Sequence, residues 1–226
     1  MKKALLLITL LASVSTALAQ YTITYKPGDS PLEFKTKYVY RNPTFLPSRV
    51  YFKDGSSTRA TLNYNTLSDR MEFIGPKGDT LELVDNHLIK EVVIDKSRFR
   101  FHDGFFELIK DSPEFSLALK RPLRMVNQKK LGAMGIASPT AGIETYASLG
   151  DVSGILKLSP KIEHIFSNAP IYYFGDKNSF FIPASQKSLA KIFPAKKDQI
   201  SAYMKNHSVN FTRIEDILSL ISAIEK

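Results

Sequence analysis

Four histidines, His87, His102, His164 and His207, are the side chains best suited to acid–base or metal chemistry, and their spacing argues against both. No two stand four residues apart and no His-Glu-x-x-His segment occurs, so nothing in the sequence signals the three or four convergent ligands of a zinc site. His102 precedes Asp103-Gly104 and reads as an exposed turn residue. His164 follows Glu163, but neighbours in sequence point apart. Ser188-Leu189-Ala190-Lys191 matches the Ser-x-x-Lys pattern of a serine nucleophile with a lysine base, yet the partner motifs of such enzymes are missing. Gly75-Pro76-Lys77-Gly78-Asp79 lacks the spacing and the following helix of a phosphate cradle and reads as a hairpin turn. Glycoside cleavage needs two carboxylates facing each other across a cleft, and 22 acids single out no pair. No catalytic residue, cofactor or metal ligand is therefore assigned.

Contact with an anion has a clearer signal. The chain carries a formal charge of +9. From Glu114 to Glu144 no acid intervenes, while Lys120, Arg121, Arg124, Lys129 and Lys130 supply positive charge, which makes these five the candidate polyanion contacts. Lipopolysaccharide, extracellular nucleic acid and acidic glycans all fit such a stretch. It has no interleaved aromatic residues, which suits steering and phosphate contact and not base stacking, so specific nucleic-acid recognition is not expected. Tyr172 and Tyr173 are candidates for a sugar platform, but strand alternation sends them to opposite faces and at least one to the core.

The elements that must position these residues follow an export signal. Lys2 and Lys3, an apolar run over 4–11, and Ala17 and Ala19 before Gln20 predict secretion with cleavage after Ala19. The absence of cysteine excludes disulfides, thiolate sites and lipid attachment to a cysteine. No second run of about 18 apolar residues follows, so no transmembrane span is expected after cleavage. Nor is the chain expected to end as an outer-membrane barrel does, because its last segment reads as an amphipathic helix.

The predicted fold is α+β: an antiparallel β-meander sheet, open or curled into a partial barrel or sandwich, with a C-terminal section of two or three helices. Residues 20–49 read as an extended segment, 50–119 as the meander, 120–150 as a basic, Gly- and Ser-containing mobile loop, 151–183 as further strands and a hairpin, and 184–226 as helices. In the meander, Ala60, Leu62 and Tyr64 alternate, as do Met71 and Phe73. Asp103-Gly104 suits a two-residue type I′ turn, which would pair Phe101 with Phe106, Phe99 with Leu108 and Arg100 with Glu107. Ile171 to Phe174 and Phe180 to Ile182 predict a second hairpin. Leu189, Ile192 and Phe193 then begin helical spacing, Ile200, Tyr203 and Met204 repeat it, and Thr212 with Glu215 reads as a capping box. That box opens a helix whose Ile214, Ile217, Leu218, Ile221 and Ile224 form one stripe. This stripe is expected to pack on the sheet or on other helices.

The chain resembles a group of uncharacterised exported proteins of the Bacteroidota. The resemblance rests on Tyr51-Phe52-Lys53-Asp54-Gly55, Leu62-Asn63-Tyr64-Asn65 with Met71-Glu72-Phe73-Ile74, Pro76-Lys77-Gly78-Asp79-Thr80-Leu81, Tyr172-Tyr173-Phe174 and the helix over 184–193 with Lys196-Lys197. It implies an envelope location in a diderm bacterium and carries no catalytic residues with it. Asp79-Thr80-Leu81 is similar to the short O-glycosylation acceptor of such proteins. The Asn206-His207-Ser208 and Asn210-Phe211-Thr212 matches to the N-glycosylation pattern carry no weight in a bacterial chain. The expected protein is a non-enzymatic envelope module, periplasmic before extracellular or outer-membrane-associated, monomeric or weakly oligomeric, with an unidentified envelope or extracellular partner. Its rivals are a cell-wall or glycan hydrolase and a weak polyanion binder.

Overall fold

A computed structural model describes residues 22–131, 137–139 and 162–225. The signal-cleavage residues Ala17, Ala19 and Gln20, and the strand expected over 152–158, lie outside the described residues. The chain divides into two units, Met1–Pro31 with Leu123–Ala169, and Leu32–Pro122 with Pro170–Lys226.

In the smaller unit four strands, β1 (Thr22–Tyr25), β10 (Arg124–Leu131), β11 (Ala137–Pro139) and β12 (Ile162–Ser167), form an antiparallel sheet in the order β1-β12-β10-β11. Part of the stretch read as a basic loop is thus strand. Its period-two signal is broken because the register shifts between Met125 and Asn127 where β10 meets β12, which moves apolar residues off strict alternation.

The larger unit holds an open ten-stranded antiparallel sheet. Its strands are β2 (Leu46–Phe52), β3 (Ser57–Asn65), β4 (Arg70–Ile74), β5 (Thr80–Glu82), β6 (Ile89–Ile94), β7 (Ser97–Phe101), β8 (Phe105–Asp111), β9 (Phe115–Lys120), β13 (Ile171–Asp176) and β14 (Phe181–Pro183). They lie in the order β14-β13-β9-β8-β7-β6-β2-β3-β4-β5, so two meanders are joined by the long-range pairing of β2 with β6. Val50, Leu62, Met71, Val92 and Phe99, each fully buried, form one core. Asn63 is fully buried as well, and it is satisfied: its amide donates to the carbonyls of Asn42 (2.8 Å) and Thr44 (3.1 Å) and accepts from the Asn42 N–H.

A short helix, α1 (Pro31–Phe34), precedes β2, and three helices end the chain: α2 (Gln186–Ile192), α3 (Lys197–Asn206) and α4 (Ile214–Glu225). Ile217, Leu220, Ile221 and Ile224 of α4 join Leu189 and Ile200 over Phe115, Leu117 and Phe174, so the apolar stripe covers the sheet with Leu220 in the place expected of Leu218, which is 37% exposed because the buried arc is narrower than the apolar one. The capping box expected at Thr212 and Glu215 does not form. Thr212 Oγ1 donates instead to Asn210 Oδ1 (2.7 Å), and the Asp216 carboxylate takes the Asn210 N–H (2.9 Å). The reciprocal box belongs to α2, where Ser188 N–H donates to Ser185 Oγ and Ser185 N–H to Ser188 Oγ. No helix among the described residues is long and apolar enough to cross a membrane.

Candidate functional site

The site begins with the register of the β7–β8 hairpin. Phe101 pairs with Phe105, Arg100 with Phe106 and Phe99 with Glu107, one residue away from the two-residue turn expected. The loop is His102-Asp103-Gly104, closed by the His102 N–H on the Gly104 carbonyl (3.0 Å), with Gly104 at φ +93°. Two contacts from outside the hairpin favour this register. The Phe105 N–H donates to Asp69 Oδ1 (3.0 Å), and Arg41 takes Glu107 with two hydrogen bonds (3.0 and 2.8 Å), so Glu107 does not require Arg100. Arg100 instead donates to Asp111 (2.9 Å) and Ser116 (3.2 Å), and Ser116 donates to Asp111 (2.7 Å).

Arg100 forms part of the wall of a cavity of about 540 Å³ in the larger unit. Lys53 follows β2, Lys90 lies on β6 and Lys177 in the β13–β14 turn, so three exposed lysines line it from three separate segments. None of the three makes an ion pair or side-chain hydrogen bond among the described residues. Ile89 and Phe101 supply apolar wall, and His102 packs edge-on against Phe180, ring centroids 4.9 Å apart.

Two carboxylates also line the cavity, and both are committed. Burial alone would raise the Asp111 carboxyl, but hydrogen bonds from Ser116 and Arg100 and the charge of Arg98 hold it below the ordinary 3.8. Asp176 Oδ1 accepts the N–H groups of Asn178 and Phe180, both at 2.9 Å, and so shapes its own turn. A glycosidase acid must hold its proton near neutral pH, which needs a raised pKa. Asp111 is shifted the other way and does not fit the part of that acid.

The five cations singled out by the sequence fall in different places. Lys120 is engaged: its ammonium bonds Asp69 Oδ2 at 2.7 Å and sits 4.2 Å from the Phe106 ring centre. Arg121 is 3.9 Å from Glu107. Arg124, Lys129 and Lys130 belong to β10 of the smaller unit, with Arg124 exposed and Lys129 paired in register with Glu163. The groove lysines escaped sequence reading because each stands in its own turn or strand, and no local run of charge marks them.

Ser188 is 7% exposed and its hydroxyl donates to the Ser185 carbonyl (2.9 Å), so the Ser-x-x-Lys match is a helix cap. Among the described residues no group of three or more His, Asp or Glu side chains is placed to hold a metal ion. His164 is buried in the smaller unit between Tyr25 and Phe166, with Nδ1 3.2 Å from Met125 Sδ and, among the described residues, no hydrogen-bond partner for Nε2. Burial holds its pKa below the ordinary 6.5, so the unfolded chain takes up a proton first as pH falls. Stability present above pH 6.5 is therefore lost below it. Glu107 and Asp111, also held low, act only further down, near and below their ordinary 4.5 and 3.8. Between pH 7.5 and 5.0 the melting temperature is expected to drop, and His164→Phe to remove most of that drop. An unchanged drop in the variant would place the acid-sensitive group elsewhere.

Comparison of the chain with protein-family models, with curated proteins and with solved structures finds no match.

Proposed function

We propose that this protein is a non-enzymatic binding module of a bacterial envelope, exported by its N-terminal signal, and that the groove of its larger unit holds an anionic group of its partner. The convergence of Lys53, Lys90 and Lys177, without carboxylate partners, on one cavity carries this reading. An exposed ammonium left unpaired gains more from an incoming anion than one that must first give up an internal ion pair. The Bacteroidota resemblance supports the envelope location.

Retention of the mature chain on heparin–agarose tests the groove. The Lys53→Glu/Lys90→Glu/Lys177→Glu variant is expected to elute at clearly lower salt. Exposed contacts of about 0.2–1 kcal/mol each correspond to about a tenfold loss of affinity when three are removed. Lys26→Glu/Lys96→Glu/Lys205→Glu carries the same charge change outside the groove and is expected to shift little. Arg124→Ala/Lys129→Ala/Lys130→Ala probes the β10 cations. Shifts that follow the charge removed, equal for the two Glu variants and about half as large for the Ala variant, would mean that net charge alone retains the protein, and the groove reading would fail. A shift confined to the β10 variant would move the binding surface to the smaller unit.

A further inference from the structure

The central cavity is one of three that share walls. On one side Lys90 and Arg100 also line a cavity of about 380 Å³ that reaches Tyr51, Glu91 and Arg98. On the other, Asp176 and Lys177 also line one of about 420 Å³ that reaches Glu114, Phe180 and Lys191. Each cavity contains the same three kinds of group. The first holds Lys90 and Tyr51 beside Arg98 and Glu91, which are bonded to each other (2.6 Å); the second Lys53 and Phe101 beside Asp111, which Arg100 and Ser116 hold; the third Lys191, Glu114 and Phe180.

We infer that the three cavities are consecutive subsites for a linear acidic glycan. This rests on the anion-binding reading above and names its ligand class. An acidic sugar presents three features: a carboxylate or sulfate for a cation, hydroxyls that donate to a carboxylate, and a C–H face that packs on a ring. A repeated set of cation, carboxylate and ring matches a repeated unit of that kind. Each volume falls in the range of about 300–1,000 Å³ usual for ligand pockets. A nucleic-acid strand fits less well. Its phosphodiester groups carry no hydroxyl to donate to Glu91, Asp111, Glu114 and Asp176, whereas every unit of a glycan does. Phe180 is 48% exposed and stands at the turn between the second and third cavities, where a chain crossing from one to the other would lie against it.

The test is length dependence. Fluorescence anisotropy is measured with labelled oligogalacturonates and size-defined heparin fragments of two, four, six and eight sugars, with the oligonucleotide dT12 and neutral maltohexaose beside them. In at least one acidic series the affinity is expected to rise at least tenfold from two to six sugars and then level off, with maltohexaose unbound. Lys191→Glu and Tyr51→Ala are expected to weaken the hexasaccharide at least fivefold and to leave the disaccharide unchanged, whereas Lys90→Glu weakens both. Thermal melts of each variant confirm the fold, and Lys191, exposed on α2, is the variant least able to disturb it. Affinity independent of length in both series, with the end variants silent, overturns the glycan track while leaving a single anion pocket in place. Tighter binding of dT12 than of either hexasaccharide also overturns it. Failure of every anionic probe removes the anion-binding reading itself.

Discussion

Asp69→Ala is expected to destabilise the larger unit by about 3–5 kcal/mol, and Gly104→Val by a similar amount. Asp69 lies in the turn between β3 and β4 at φ 57°, a conformation Asp tolerates better than most side chains. Its carboxylate accepts from the Tyr64 hydroxyl (2.7 Å), the Phe105 N–H (3.0 Å) and the Lys120 ammonium (2.7 Å). One side chain therefore ties two turns and β9 together across 36 and 51 residues. Alanine would leave a hydroxyl and an N–H without their acceptor, and the Lys120 ammonium with the Asp103 carbonyl at 3.3 Å. Gly104 is held to the same node by geometry: a Cβ there would overlap the Asp69 carboxylate and the Lys120 ammonium, at a positive φ that L side chains avoid. Asp69→Asn keeps one oxygen for Tyr64 and Phe105 and weakens only the ion pair, so it is expected to lose about a third as much. Urea unfolding of the three variants checks this. A loss below about 1 kcal/mol for Asp69→Ala would mean that the node closes after the fold is already secured.

Ile221→Ala is expected to lose about 2–5 kcal/mol, and Leu218→Ala, three residues earlier on the same helix, under about 0.5 kcal/mol. Ile221 is 1% exposed within the cluster that includes Phe115, Leu117 and Phe174, whereas Leu218 is 37% exposed. Alanine is the better helix former at both positions and gains slightly more against Ile than against Leu, so a larger loss at 221 reports docking and not helix formation. The end of α4 is also held by charge. Lys196 donates to the Ile224 carbonyl, and Lys110 of β8 pairs with Glu225. Equal losses for the two variants, read by thermal unfolding, would mean that the stripe does not bear on the sheet as described.

Local patterns made much of the fold legible. Ala60, Leu62 and Tyr64, and the stripe from Ile214 to Ile224, announce their elements because a strand repeats every two residues and a helix every 3.6. Three features were not legible, for one shared reason. The β7–β8 register depends on Asp69 and Arg41, the pairing of β2 with β6 spans the whole first meander, and the groove collects Lys53, Lys90 and Lys177 from separate turns and strands. In each case the deciding partner is far away in sequence, and no local spacing encodes it. The conspicuous cations at 120–130 are not equivalent, for a related reason. Charge density along a chain says nothing of pairing, and Lys120 proves to be bound to Asp69.

By itself the sequence determined an α+β chain without cysteine, its antiparallel strands, its C-terminal helices and its positive charge, since these follow from composition and short-range periodicity. Tertiary structure alone decided which charges are satisfied and which remain available. That distinction depends on the distance to a partner in space, so it separated Lys120 from Lys53, Lys90 and Lys177 where residue type could not.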